Sequence, residues 1–352
     1  MDLIIPKALH ENDLVATISP SWGGAGDLEH AWRFQQGVQR LEESLSLRQK
    51  SMPYSLMGTQ YLAEHPKKRA EDWMRAMADD DIKAVFCNIG GEDALKILPY
   101  IDWDILAAHP KIVMGYSDAT VLHMICWKAG LRSYYGPMVL VEFAENVEID
   151  PYTVRWVRRA LFSAEEIGLV EPPAYWTSEF LPWYEENRDI RRIMKPHGGY
   201  QLLQGHGVAQ GQLLGGCLDV LEKLKDTVLF PDDWQDVIWF METSESQPEP
   251  DQVRRWLLDY GRRGILHQLK GILFAKPYDE KYQEAYHQII QEVLAKNSLT
   301  ELPVLVDLCF GHTEPMCIFP YGALAQMDCE KKEVSILESG VDSTHSFKTG
   351  GK

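Results

Sequence analysis

Four features are missing or scarce in this chain, and each absence removes a class of function. No stretch reaches the roughly 18 consecutive apolar residues that a membrane-spanning helix needs, so no membrane partner is expected. Cys87, Cys126, Cys217, Cys309, Cys317 and Cys329 are scattered, with no C-x-x-C pair and no histidines at zinc-ligand spacing. They read as reduced, buried thiols, and neither a metal nor a cofactor is indicated. Basic charge is scarce, with 35 Lys and Arg against 52 Asp and Glu, a formal charge of -17. A nucleic-acid surface needs clustered cations that release counterions, so nucleic acid is not expected as a partner; the net charge does not exclude a local basic pocket. Met1 to Lys7 shows no basic segment followed by a long apolar run. Secretion is therefore not indicated, and a cytoplasmic address is expected.

What is present is the composition of a globular protein, 45% hydrophobic and 25% charged over 352 residues, a length that suits two domains. The first half alternates strand and helix. Leu14–Ser19 is a β-branched apolar run closed by Pro20-Ser21-Trp22-Gly23-Gly24, and a helical pattern follows from Asp27 to about Ser44. Pro66 suits the first turn of a second helix through Met77, Ile82–Asn88 is a strand ending at Gly90-Gly91, and Lys111–Met114 is another. Such alternation implies parallel strands with helices on both sheet faces. Later strands are expected at Val237–Met241, Leu269–Phe274 and Pro303–Leu308, with helices at Asp251–Tyr260 and Glu280–Ala295. Between the halves, Pro172 to Gly199 is rich in Pro, Trp, Tyr and charge without periodicity, the signature of a functional loop. The organisation read from this is 1–165 for the first domain, 166–200 for an aromatic linker, 201–342 for the second domain and 343–352 for a loose tail.

The segment Lys111 to His123 runs from an apolar strand through Gly115-Tyr116-Ser117-Asp118 into a helix. A Gly-x-Ser turn between strand and helix presents a nucleophilic serine, and the helix start supplies free N–H groups beside its hydroxyl. Ser117 could equally be a helix cap. An activated serine needs a general base and an orienting carboxylate. Glu242 ends the strand closing Phe240-Met241, and His312 follows Leu308-Cys309-Phe310 in a Gly-His-Thr-Glu-Pro turn. All three lie at strand ends, where α/β proteins gather their catalytic groups. His312 could otherwise be a turn residue and Glu242 a solvated carboxylate. His123 is expected to pack within its helix, pointing away from the turn; His197 and His206 lie in glycine-rich loops that could touch substrate. Asn88-Ile89-Gly90-Gly91 allows close backbone approach, and the N–H groups of Gly91 and Asp118 would make a two-donor oxyanion hole.

The residues Ile82–Gly91, Ile97–Asp102, Pro110–Thr120 and Tyr135–Met138, continued by Gly205, Gly211–Cys217 and Gly311-His312, resemble the LD-carboxypeptidase serine peptidases in order along most of the chain. The resemblance implies a nucleophile at Ser117, a base at His312, an orienting Glu242 and an oxyanion hole from Gly91 and Asp118. It also implies an α/β fold with a flavodoxin-like N-terminal layer, a smaller β-rich C-terminal domain, and a homodimer. One branch of the family trims D-alanine from the murein tetrapeptide. The other, the microcin C immunity carboxypeptidases, cleaves the amide joining an aminoacyl moiety to a nucleotide-like group. The length of the aromatic loop points to the immunity branch, in which a loop tryptophan stacks on adenine. Trp183 matches that position, with Trp176 second and Gly90 also near substrate. His197-Gly198-Gly199-Tyr200 departs from the usual Gly-Trp of relatives. Arg191, Arg192, Lys195 and Lys276 are candidates to meet a substrate carboxylate or phosphate. A non-catalytic protein that sequesters a peptide or nucleotide conjugate is the alternative of another class.

Overall fold

The computed structural model describes residues 3–343, and the expected tail lies, from residue 344, outside the described residues. Two sheets organise a mixed α/β fold of two domains. The first has six strands, in the order Phe319–Pro320, Tyr134–Tyr135, Ile112–Gly115, Ile82–Cys87, Leu14–Ile18, Arg48–Ser51. Five are parallel, as the alternation of strand and helix predicts. The sixth, Phe319–Pro320, comes from late in the chain and pairs antiparallel with Tyr134–Tyr135, so the two domains are stitched together. Ile82–Cys87 and Ile112–Gly115 sit side by side in register, Val85 opposite Val113, and both are almost wholly buried. Strands covered on both faces need this continuous apolar character.

The second sheet has eight strands, with Val208–Cys217, Val237–Glu242, Leu269–Ala275 and Val304–Leu308 forming a parallel centre. Antiparallel strands flank it, including Glu166–Leu169 at one edge and Gln201–Gln204 at the other. Trp234, Trp239 and Tyr260 pack beside it with no exposed surface beyond 1%. Among the described residues no helix is long and apolar enough to cross a membrane, and all six cysteines are buried free thiols.

Two helix starts differ from the sequence reading for local reasons. Asp27 does not open a long helix. Its carboxylate holds the backbone N–H of Thr59 at 2.8 Å and the Thr59 hydroxyl at 2.5 Å, and the helix begins at Ala31 after two 3₁₀ turns. Glu280 likewise stands before its helix, which starts at Gln283, because Asp279, Glu280 and Tyr282 adopt positive φ and break the helical path. The aromatic linker is irregular but ordered, tied by a short antiparallel pair, Tyr175–Trp176 with Lys195–Pro196. The carboxyl ends of the parallel strands of both sheets meet across the domain junction, where the Cys217 N–H reaches the Thr120 hydroxyl at 3.2 Å.

Candidate active site

The turn after Ile112–Gly115 is strained at the serine itself. Ser117 has φ +59°, a left-handed conformation that costs a residue with a Cβ about 1–3 kcal/mol and persists only where surroundings enforce it. Gly115 plays a different part from the one expected of it. Its φ is ordinary, but a Cβ there would lie 2.9 Å from the Cβ and Sγ of Cys87 and 3.0 Å from the Cβ of Ala119, so glycine is needed for room between strand and helix. The Ser117 N–H donates to the Tyr135 hydroxyl at 3.2 Å, and its carbonyl accepts the Thr120 hydroxyl at 2.7 Å. His123 does not point away. Its ring is fully buried beneath the turn, with Nε2 2.9 Å from the Gly115 carbonyl and Nδ1 2.9 Å from the Ser133 hydroxyl, and burial lowers its pKa to about 4.

Glu242 and His312 converge on this turn from the second sheet. His312 Nδ1 lies 2.7 Å from Glu242 Oε2, and Nε2 lies 3.1 Å from Ser117 Oγ. The other carboxylate oxygen, Glu242 Oε1, accepts the Tyr135 hydroxyl at 2.5 Å. Gly311 makes the approach possible. It has φ +80°, and a Cβ there would sit 2.6 Å from the Glu242 carboxyl carbon. A carboxylate at Nδ1 leaves Nε2 as the nitrogen facing the serine. Burial would lower the pKa of His312, but Glu242 and Glu245 outweigh it and hold the imidazole well above its ordinary value. Glu245, in the loop after the Glu242 strand, places Oε2 2.7 Å from His312 Nε2. Its own carboxyl is lowered to about 2, the partial desolvation of this largely exposed group being outweighed by the charge and hydrogen bond of His312.

The Gly90-Gly91 turn closes the site. A Cβ on Gly90 would lie 2.9 Å from the Ser117 Cβ and 3.4 Å from the Asp118 nitrogen, so only glycine permits the contact. Among the described residues, neither the Gly91 nor the Asp118 N–H donates to a protein acceptor. The Asp118 carboxylate is a scaffold, accepting the Ser21 hydroxyl at 2.6 Å and the Ala94 N–H at 2.7 Å. Ser21 in turn packs under Gly91, and buried Arg69 ties Asp93 to the Pro20 and Ser21 carbonyls.

A cleft of about 290 Å³ opens over Ser117, walled by Trp22, Tyr116, Phe180, Trp183 and Arg33. Trp183 stacks on Trp22 with centroids 6.2 Å apart and planes at 30°, and the Arg33 guanidinium lies 4.6 Å over the Trp183 ring. Arg33 is buried and fixed by the Leu140 carbonyl and Asn146; desolvation brings its pKa down to about 10. Arg192 also lines the cleft, bridging Glu145 and Glu314. Burial and the neighbouring Glu314 raise Glu145 to about 7, and the same two causes raise Glu142 to about 8. Trp176 is not in this wall. It is 2% exposed and packed between the ammonium groups of Lys195 and Lys276, 5.0 and 4.9 Å from its ring, which corrects its expected place beside substrate. Arg191 pairs with Glu148 at the surface, and Lys276 sits against Asp307 and Glu280. His197 is buried outside the cleft lining and His206 is exposed beside Glu301.

Both halves of the chain match known sequences. The LD-carboxypeptidase N-terminal domain matches residues 15–136, and the LD-carboxypeptidase C-terminal domain matches residues 210–327. The chain belongs to the LD-carboxypeptidase family. It is a serine-type carboxypeptidase. A probable murein peptide carboxypeptidase of Bacillus subtilis is 29% identical over 351 residues, covering 98% of this chain and 97% of the relative. The microcin C7 self-immunity protein MccF of Escherichia coli is 27% identical over 280 residues, 77% of this chain and 78% of the relative. In three dimensions the chain is similar to an MccF-like protein from Streptococcus pneumoniae crystallised with AMP. That likeness has a TM-score of 0.84 at 29% identity and covers 94% of this chain and 98% of the other. Of the residues named from the sequence of this LD-carboxypeptidase, Ser117, Gly90, Gly91, His312, Trp183 and Arg192 line the cleft, and Asp118 and Glu242 lie buried behind it. Those missed are Trp22, Arg33, Tyr135 and Glu245. Arg33 carried a signal, since Arg33, Gly37, Leu41 and Leu45 share one helix face and all four are buried.

Proposed function

We propose that this carboxypeptidase hydrolyses the amide that joins an aminoacyl or peptidyl group to a nucleotide-like group, with Ser117 as nucleophile, His312 as base and Glu242 as its orienting carboxylate. The observation that carries the substrate is the aromatic and cationic wall of Trp22, Trp183 and Arg33, which opens directly onto Ser117. A base stacks on such a wall, and base–aromatic stacking contributes about 1–3 kcal/mol. The AMP bound by the Streptococcus pneumoniae neighbour supports a ligand of that chemistry.

In this reading neutral His312 accepts the Ser117 proton through Nε2 while the oxygen attacks the scissile carbonyl. The developing oxyanion takes hydrogen bonds from the Gly91 and Asp118 N–H groups. His312 then protonates the leaving nitrogen, and an acyl ester remains on Ser117. Water, deprotonated by His312, releases the acid and restores the serine. Glu242, itself held by the Tyr135 hydroxyl, keeps Nδ1–H bonded and stabilises the imidazolium through both steps. The biological role that follows is self-immunity or detoxification, a form of antibiotic resistance, in a cytoplasmic homodimer.

The Bacillus subtilis relative, which matches nearly end to end, favours a second reading, murein tetrapeptide trimming in cell-wall recycling. Parallel assays decide between them. Turnover of an aminoacyl sulfamoyl adenosine with the tetrapeptide untouched supports the first reading, and the reverse supports the second.

A further inference from the structure

His312 Nε2 has two neighbours that compete for it. Ser117 Oγ lies at 3.1 Å and Glu245 Oε2 at 2.7 Å. Glu242 already takes the N–H of Nδ1, so the contact with Glu245 needs a second N–H, on Nε2. An imidazole so protonated holds no lone pair for the Ser117 proton. Nε2 of His312 is therefore occupied by a carboxylate that has to be removed before His312 can act as a base.

Glu245 can be removed. Its side chain is 61% exposed, whereas Glu242 is 2% exposed and anchored by Tyr135. Among the described residues no lysine or arginine forms an ion pair with Glu245, so His312 is its one cationic partner. Among the described residues, the other ionisable groups beside His312 and Glu245 include Tyr116, edge-on at 5.1 Å, Tyr135 behind Glu242, and Tyr278, Glu314 and Arg192 in the cleft lining; burial raises the three phenols, and Arg192 is taken by Glu145 and Glu314. The loop that carries Glu245 is pinned on either side of it. The Ser244 N–H reaches Asp219 Oδ2 at 3.1 Å and the Ser246 hydroxyl reaches Asp219 Oδ1 at 3.3 Å, which leaves the Glu245 side chain to swing from a fixed base.

Glu245 also stands where two arms of the cleft join. One arm is the aromatic chamber already described. The other shares Gly91, Ser117 and Glu245 with it and runs past Asp219 to Glu92 and Trp256. Lys223 is the basic residue of this second arm, and its ammonium is spent on the Glu92 carbonyl at 3.3 Å. If the nucleotide-like group fills the aromatic chamber, the side chain of the acyl residue enters the second arm and meets Glu245 first.

We infer that Glu245 is a positioning and specificity-determining residue: it holds His312 until substrate binds and is drawn off by a cationic side chain on the acyl residue of the substrate. The inference rests on the reading of Ser117 and His312 as nucleophile and base. When Glu245 pairs with the substrate ammonium, the imidazolium loses one of its two carboxylates and releases the Nε2 proton to solvent. Neutral His312 then accepts the proton of Ser117. Acidic acyl side chains leave Glu245 in place and are disfavoured.

The test uses N-acetylated α-aminoalkyl diphenyl phosphonates with the side chain of lysine or of norleucine, which differ by one charged group. Ser117 Oγ bonds to phosphorus, one phenoxide leaves, and the serine proton passes through His312 to that phenoxide. For the wild-type enzyme the second-order inactivation rate of the lysine probe exceeds that of the norleucine probe by about tenfold or more. In Glu245→Gln the norleucine probe reacts faster than with wild type, the ratio falls to about three or below, and the acid limb of the rate profile moves to lower pH. Glu245→Gln that keeps the wild-type ratio, or slows both probes equally, overturns the inference. Ser117→Ala separates the two levels: no adduct in this variant keeps the serine reading whatever Glu245 does, and an adduct elsewhere overturns both.

Discussion

The Ser117 hydroxyl lies 3.1 Å from Nε2 of His312, although 195 residues separate the two in sequence. The serine is presented by the first sheet and the histidine by the second, so the contact exists only when the domains are docked. Docking is enforced from below by Tyr135, whose hydroxyl accepts from the Ser117 N–H and donates to Glu242. One phenol thus sets the spacing between Ser117 and Glu242.

Tyr135→Phe removes that link while keeping the ring. It leaves one oxygen of a buried carboxylate without its donor, a loss of about 1–3 kcal/mol. The expected result is a fall in kcat of about tenfold or more with KM little changed, together with a lower melting temperature. Steady-state kinetics and calorimetry on the same preparation check both.

Ser117→Gly separates strain from chemistry. Glycine adopts φ +59° without penalty, so the variant is inactive yet more stable by up to about 1–3 kcal/mol, read as a higher denaturation midpoint. Ser117→Ala is inactive without that gain, since alanine keeps the Cβ. Equal stability of the two variants would show that the turn is not strained.

Gly311→Ala acts through room and backbone together. The new Cβ would sit 2.6 Å from the Glu242 carboxyl carbon, at a φ of +80° that disfavours any side chain. Glu242 has to shift, and with it His312. Loss of kcat by about 100-fold or more is expected, with the fold retained by circular dichroism, on the scale that small misplacements of reacting groups produce.

Trp183→Ala should raise KM for a nucleotide conjugate by about 5- to 150-fold, the factor that corresponds to about 1–3 kcal/mol of lost stacking. Trp176→Ala serves as the contrast. It loses buried packing between Lys195 and Lys276, so its effect falls on stability and not on KM.

The charge on His312 makes a pH prediction with a definite sign. Its folded-state pKa is raised, so it contributes stability that is complete below the ordinary histidine range and is lost as pH rises through the raised value. With His312 as the proposed base, catalysis runs the other way, since the base must be neutral, and the acid limb of kcat/KM for the free enzyme is expected to be displaced upward from about 6.5. Thermal stability and kcat/KM measured across pH 5 to 9 should therefore trend in opposite directions, and the stability trend should flatten in His312→Gln.

What the sequence made legible was the part of the site that sits at strand ends. Ser117, Glu242 and His312 each follow an apolar run and stand beside a glycine or turn, a local pattern that needs no knowledge of the neighbouring strand. Arg33, Trp22 and Glu245 are different in kind. Arg33 lies on an otherwise ordinary amphipathic helix and is buried only because Leu140 and Asn146, more than 100 residues away, come to meet it. Glu245 is one carboxylate among many until the His312 loop packs over it. In the linker only the resemblance ranks Trp183 before Trp176, and what separates them in the structure is the pair of lysines that encloses Trp176. Helix starts at Asp27 and Glu280 failed for a related reason, because tertiary bonds claimed Asp27 and positive φ values broke the path at residues 279–282.

The most direct test of the account is acid-quenched mass spectrometry of the enzyme turning over an aminoacyl sulfamoyl adenosine, with the murein tetrapeptide assayed in parallel. The expected result is an aminoacyl ester on the peptide containing Ser117, release of sulfamoyl adenosine, no such adduct in Ser117→Ala, and no D-alanine from the tetrapeptide. Release of D-alanine with the sulfamoyl conjugate left intact would contradict it.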